Sequence, residues 1–120
     1  LQRSQTMTEL RVVSDQQCTP TFVPHLVQGI RLLLQVSARG IVHLTNSGQT
    51  SWHGFARELL NQLHWNGVVC PISSGELALP ARRPAFSVLS CARFQQLTGQ
   101  TLPDWQSAVR EFLDRRNQRN

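Results

Sequence analysis

The sequence predicts an α/β fold with a few short strands and about four helices. Short β-branched runs alternate along the chain with longer runs whose apolar residues recur at helical spacing. The chain has 120 residues, enough for one domain with a hydrophobic core. Only about three strands are visible, and a parallel sheet that small leaves faces and edges uncovered. We therefore expect residues 1–120 to form a single lobe of a larger protein.

Strand character is confined to runs rich in β-branched residues, which suit a pleated, half-buried surface. The runs are 10–13 (LRVV), 41–44 (IVHL) and 68–72 (VVCPI). Pro71 would remove a ladder hydrogen bond, which places the third run at a sheet edge or a strand end. The first run leads into a structured loop at 14–21 (SDQQCTPT).

Helical character is found in the runs 23–35, 51–65, 91–98 and 105–116. Pro24 falls near a start, where its missing N–H is tolerated. Thr50 is the expected N-cap of the second helix, and Gly99 is the expected end of the third. Asp104 contributes negative charge to the first turn of the last helix.

Three of these runs carry apolar residues at helical spacing, which predicts amphipathic helices. In 23–35 these residues are Leu26, Ile30, Leu33 and Leu34. In 51–65 the predicted buried face is Trp52, Phe55, Ala56, Leu59, Leu60 and Leu63, and in 105–116 it is Trp105, Val109, Phe112 and Leu113. The clustered Arg115 and Arg116 lie where cations favour the helix dipole, which gives them a structural explanation.

Absent residue types exclude several kinds of chemistry. All 12 basic residues are arginine and there is no tyrosine, which excludes Schiff-base catalysis and a Tyr/Lys proton-transfer pair within this chain. There is no glycine-rich phosphate loop, so the chain does not bind NAD(P) by the usual means. No apolar run approaches the ~20 residues of a membrane span, and no secretion signal opens the chain. We expect a cytoplasmic location and no membrane partner.

Cysteine and histidine spacing gives no clear site. The three cysteines show no CxxC pattern, so we interpret them as reduced thiols. The four histidines lack metal-ligand spacing. Cys18 with His25 lacks a third group that would orient the pair for nucleophilic catalysis.

The stretch ALPARRPAFS is of a different kind. Pro80 and Pro84 restrict the backbone on both sides of Arg82 and Arg83, so the arginines lose less freedom on binding an anion. The planar guanidinium suits a diphosphate, although a solvated loop with two charges also explains the pattern. In the loop before the first helix, Asp15, Gln16 and Thr21 could position a ligand or simply cap turns.

Four segments in order resemble the C-terminal part of the dTDP-4-dehydrorhamnose reductases, which are extended short-chain dehydrogenases. They are 11–21 (RVVSDQQCTPT), 42–56 (VHLTNSGQTSWHGFA), 80–89 (PARRPAFSVL) and 102–113 (LPDWQSAVREFL). The resemblance covers the whole chain but only about the last two-fifths of such a protein. It implies a substrate-binding lobe without the Rossmann half.

The resemblance also implies an activity and its cofactor. The activity is NADPH-dependent reduction of dTDP-4-dehydro-L-rhamnose to dTDP-L-rhamnose for cell-surface polysaccharide. NADPH and the catalytic groups would belong to the missing N-terminal part, so no catalytic residue is expected here and the chain alone should be inactive. The implied partners are the dTDP-sugar, the nucleotide-binding half and a second copy in a homodimer. A divalent metal at the dimer interface has no ligand set to assign.

On the substrate side, the resemblance carries over Arg83, Arg82, Gln16 and Thr21 as substrate-binding residues, with Arg83 ahead of Arg82. Asp15 and Pro20 match the same loop motif, which joins the substrate lobe to the nucleotide lobe in the family. Four positions depart from the family pattern: Ser14, Cys18, His25 and Phe86. Cys18 stands where a glycine is usual, so a positive φ there would cost about 1 kcal/mol.

Two other functions remain open at this point. The first is a non-catalytic subunit resembling the regulatory subunit of methionine adenosyltransferase, which is a relative of this reductase. The second is nucleic-acid binding through the arginine-rich last helix, which the lack of interleaved aromatic residues disfavours. We therefore expect no nucleic-acid partner.

Overall fold

The computed structural model describes residues 8–77 and 80–118, which form two compact units. The first unit contains residues up to 18 together with 50–87, and the second contains 19–49 together with 88 onward. Ala78 and Leu79, within the proline-arginine stretch, lie outside the described residues. The α/β class predicted from the sequence is confirmed.

The first unit is built on two adjacent parallel strands. Its elements are β1 (Glu9–Val13), β2 (Gln17–Cys18), β3 (Thr50–Ser51), α2 (Trp52–Gln62), β4 (Val68–Ile72) and α3 (Ser74–Leu77). The label α1 belongs to a helix of the second unit, Val23–Gln35, which precedes β3 in the chain. Val13 pairs with Ile72 at the end of the β1–β4 ladder, and both are buried. Leu60 of α2 completes the buried set of this unit.

Pro71 is accommodated because β4 is paired only with β1 among the described strands, as the edge prediction requires. The short strands β2 and β3 pair antiparallel, with Cys18 opposite Thr50. Cys18 lies in extended β2, and the non-glycine residues with positive φ in the described chain are Ser37 and His64. The strain considered for Cys18 is therefore absent.

The second unit is helical. Besides α1 it contains α4 (Ala92–Thr98) and α5 (Trp105–Asn117). Its core consists of Phe94, Leu102, Trp105, Ala108, Val109 and Leu113. Gly99 ends α4 with a φ of 67°, as predicted. Gly29 of α1 lies so close to Leu44 that an added Cβ would come within 2.7 Å of its Cδ2.

Three local predictions are wrong. Residues 41–44 form no strand, because their backbone runs without a ladder partner among the described residues. The N-cap of α2 is Ser51, whose Oγ accepts a hydrogen bond from the Gly54 amide, because α2 begins at Trp52, one residue later than predicted. Trp52 and Phe112 lie on predicted buried faces, yet they are 48% and 40% exposed.

Candidate functional site

The candidate site lies at the carboxyl ends of β1 and β4. Because the two strands are parallel, the residues that follow them leave the ladder at the same edge. Asp15 and Gln16 follow β1, and Ser74 follows β4. In open α/β sheets this edge is where ligands bind.

A cavity of about 400 Å³ opens at this edge, which is within the size range of small-molecule sites. We call it the arginine cavity. Its lining residues are Asp15, Gln16, Ser74, Gly75, Leu77, Pro80, Ala81, Arg82, Arg83 and Ala85. Three residues predicted from the sequence, Gln16, Arg82 and Arg83, thus meet in one concave site.

Asp15 has a structural task in this cavity. Its carboxylate accepts hydrogen bonds from the Ser74 amide at 2.9 Å and from the Ser74 hydroxyl at 2.7 Å. These bonds hold the pKa of the Asp15 carboxyl below its usual range. Gln16 donates from Nε2 to the same hydroxyl at 2.8 Å. Asp15 therefore ties the loop after β1 to the start of α3, which supports the capping interpretation of this residue.

Arg82 and Arg83 are exposed, and within the described ranges neither guanidinium has a carboxylate partner. Arg11, which lies in the same unit, instead binds Glu76 at 2.9 Å. An arginine pair without a counterion at a concave surface favours an anionic ligand, because its donors and its charge are not already compensated.

The backbone that carries the arginines is fixed by a contact that the sequence did not indicate. The Gln17 amide donates to the Ala85 carbonyl at 2.8 Å, and the Ser87 amide donates to the Gln17 carbonyl at 2.9 Å. Phe86 thus forms a parallel bridge with Gln17, although its side chain is exposed. Together with Pro84, this bridge limits the motion of the segment just after Arg83.

A second cavity of about 700 Å³ lies beside the first and shares Gln16, Leu77 and Arg83 with it. We call it the tryptophan cavity. Its remaining lining residues are Arg11, Val12, Val13, Trp52, Pro84 and Ser87. Arg83 is therefore the cation common to both cavities, whereas Arg82 lines only the arginine cavity.

Thr21 is the predicted site residue that does not line either cavity. It belongs to the second unit, and its hydroxyl donates to the Thr19 carbonyl at 3.2 Å. Pro20 lies in the same unit. A substrate contact of Thr21 stays a prediction.

His25 takes part in a buried hydrogen-bond network of the second unit. The Asn46 amide oxygen accepts from the Phe22 N–H, and its nitrogen donates to the Pro103 carbonyl. The Phe22 N–H can only donate and the Pro103 carbonyl can only accept, so the orientation of the Asn46 amide is fixed. The amide nitrogen of Asn46 also donates to His25 Nδ1 at 2.8 Å. His25 Nε2–H then donates to Glu111 at 2.8 Å. His25, which departs from the family pattern, therefore contributes to the hydrogen-bond network that stabilises this unit.

Three observations limit other functions. Across residues 8–77 and 80–118 there is no group of three His, Cys, Asp or Glu side chains that could hold a metal, so the unassigned metal gains no support. Burial raises the pKa of the Cys18 thiol, which disfavours the reactive thiolate. In the same part of the chain, no helix is long and apolar enough to cross a membrane.

These features define a ligand-binding α/β domain with a cationic cavity at the carboxyl edge of parallel strands. The chain belongs to the RmlD substrate binding domain family, whose model matches residues 1–118. The resemblance found in the sequence is thereby confirmed.

Curated relatives agree with this assignment. A dTDP-4-dehydrorhamnose reductase of Burkholderia thailandensis is 35% identical, over 84% of this chain and 40% of the relative. The spore coat polysaccharide biosynthesis protein SpsK of Bacillus subtilis is 33% identical, over 98% of this chain and 41% of the relative. Neither name supports the alternative of a methionine adenosyltransferase subunit.

A solved structure shows the same fold. The dTDP-4-dehydrorhamnose reductase of Bacillus anthracis in complex with NADP superimposes with a TM-score of 0.89 at 29% identity, covering 95% of this chain and 41% of that one. The chain thus spans about two-fifths of the length of the proteins it matches.

Proposed function

We propose that this chain is the substrate-binding portion of an NADPH-dependent reductase that converts dTDP-4-dehydro-L-rhamnose to dTDP-L-rhamnose. The observation that carries the proposal is Arg83, a cation without a carboxylate partner in the described chain, on the border of two adjoining cavities. The names of the relatives support the substrate class, and the NADP in the Bacillus anthracis structure supports the cofactor.

The chain's own contribution is binding and orientation. Arg83, assisted by Arg82, compensates the charge of the diphosphate with charge-assisted hydrogen bonds. Gln16 offers amide hydrogen-bonding groups on the wall common to both cavities. Holding the sugar nucleotide in one pose reduces the entropic cost of the reaction step. Arg83 is accordingly a substrate-binding residue, and no residue of this chain acts as proton donor to the keto group.

NADPH, when bound, supplies the hydride that reduces the keto group. The residues present here do not form its site, because the sequence has no glycine-rich phosphate loop. We assign that site, together with the acid group, to the part of the relatives that this chain does not cover. Binding to that part and a cytoplasmic location stay predictions.

A homodimer is proposed as well. Val23, Val27, Ile30 and Leu34 recur on α1 at spacings that form one stripe, and each is 45% exposed or more. An exposed apolar stripe of this kind is typical of a protein interface. This stripe is the surface on which a second copy would pack.

The test of the function uses Arg83→Ala in the complete reductase. We expect kcat/KM for dTDP-4-dehydro-L-rhamnose to fall about tenfold or more, because a hydrogen bond to a charged group is lost. Arg82→Ala should have a smaller effect. The matched control is Arg57→Ala, which removes an exposed arginine of α2 that lines neither cavity. Unchanged kcat/KM in Arg83→Ala would refute the assignment.

A further inference from the structure

Trp52 is a large aromatic side chain that does not belong to the buried core of the first unit. It is the first residue of α2, and it is 48% exposed, whereas Leu60 of the same helix is buried. Among the described residues, it has no aromatic ring partner. An indole left open at a cavity wall is a typical anchor for a ligand.

The position of Trp52 is fixed by the elements on both sides of it. The preceding residues, Thr50 and Ser51, are held in the β2–β3 ladder. Ser51 also caps α2, since its Oγ accepts from the Gly54 amide at 3.0 Å. The backbone of Trp52 is therefore set before a ligand arrives, which lowers the entropic cost of binding.

The tryptophan cavity has mixed chemistry. Val12, Val13, Leu77 and Pro84 make apolar walls beside Trp52, and Gln16 and Ser87 are the uncharged polar residues of its lining. A hexose with many hydroxyl groups would leave several of them unpaired against such walls. A nucleobase fits better, because it presents two flat apolar faces and a few polar edge atoms.

The border of the two cavities orients such a ligand. Arg83 lines both, so a diphosphate at Arg83 lies next to the tryptophan cavity. We propose that Trp52 is the stacking platform for the base of the sugar nucleotide, with the diphosphate at Arg83. This inference rests on the proposed function and adds to it the residue that recognises the nucleoside part.

The experiment compares two ligands in the complete protein by titration calorimetry. The first is dTDP, and the second is 2-deoxyribose 5-diphosphate, which has the same anion but no base. In the wild-type protein we expect dTDP to bind about tenfold more tightly, the magnitude of one stacked base. Trp52→Leu should lose this difference and bind both ligands like the abasic compound. Trp52→Phe should keep most of it, because a phenyl ring still stacks.

The outcomes separate this inference from the function on which it rests. Arg83→Ala should weaken the binding of both ligands to a similar extent. If the binding of neither ligand is weakened, the diphosphate site at Arg83 is contradicted, but the role of Trp52 is not. Equal binding of the two ligands by the wild type, or an undiminished preference for dTDP in Trp52→Leu, overturns the stacking role. Equal weakening of both ligands in Trp52→Leu and in Trp52→Phe also overturns it, since the effect would then be structural.

Discussion

Asn46 is the most fully buried polar residue of the second unit, at 1% exposure. It joins three separate parts of that unit by bonding Phe22, His25 and Pro103. The sequence did not single it out, because Asn followed by Ser-Gly is typical of a turn. Arg82 and Arg83, in contrast, stand out in the sequence because two prolines flank them, and the family resemblance puts Arg83 ahead of Arg82. A buried hydrogen-bonding residue such as Asn46 carries no comparable local pattern.

Replacing Asn46 tests its structural role. We expect Asn46→Ala to lower the free energy of unfolding by about 3 kcal/mol, because the partners of three hydrogen bonds are left unpaired in a partly buried site. Urea denaturation monitored by circular dichroism measures the change. Asn61→Ala, an exposed position on α2, is the control and should change stability by about 0.5 kcal/mol or less. An Asn46 effect as small as the control's would contradict the role.

Two elements match their predicted ranges at both ends, the helix α1 and the strand β4 at 68–72. The predicted range 23–35 agrees with α1 at both ends, since the proline at its start and the long apolar period leave little ambiguity. Residues 41–44 include the β-branched Ile41 and Val42 but form no strand, because strand propensity reflects packing against a neighbour that this segment lacks among the described residues. The bridge between Gln17 and Phe86 could not be predicted, because it joins residues distant in sequence.

The N-terminus of α5 allows an electrostatic test. Asp104 is its N-cap and accepts hydrogen bonds from the Ser107 amide at 2.8 Å and hydroxyl at 2.7 Å. These bonds hold the pKa of the Asp104 carboxyl below the usual value of 3.8. Since the folded-state pKa is depressed, the stabilisation is complete above the unfolded pKa and is lost as pH falls through the folded pKa.

We therefore expect Asp104→Ala to lower the free energy of unfolding by about 1 kcal/mol at neutral pH. The difference from wild type should shrink as the pH falls below the usual aspartate pKa. Asp104→Asn, which keeps a capping oxygen without the charge, should lose less at neutral pH, and its difference from wild type should shrink over the same pH range, because the group that titrates is Asp104 of the wild type. Urea titrations at neutral and acidic pH measure both quantities. If the stability lost in Asp104→Ala stayed constant as the pH falls, the result would contradict a role for the charge of the Asp104 carboxylate.

Taken as a whole, the described chain has a cationic cavity. The sequence has no glycine-rich phosphate loop, no tyrosine and no lysine, which predicts that the cofactor site and the catalytic groups lie outside this chain. The coverage of about 40% of the Burkholderia thailandensis relative agrees with it. That residues 1–120 act as one lobe stays a prediction, because the described residues divide into two units.

This arrangement predicts that the isolated chain is inactive. NADPH and dTDP-4-dehydro-L-rhamnose mixed with residues 1–120 should give no substrate-dependent loss of NADPH absorbance, because the chain has no glycine-rich phosphate loop for the cofactor and no Tyr/Lys pair for proton transfer. The complete reductase under the same conditions is the positive control. Substrate-dependent turnover by the isolated chain would show that catalytic groups are present here.

We propose that Arg83 binds the diphosphate of a sugar nucleotide at the border of the two cavities. A crystal structure of the complete protein with dTDP-L-rhamnose tests it most directly. We expect guanidinium nitrogens of Arg83 within about 3 Å of diphosphate oxygens. A diphosphate bound elsewhere, with Arg83 in contact only with solvent, would contradict it.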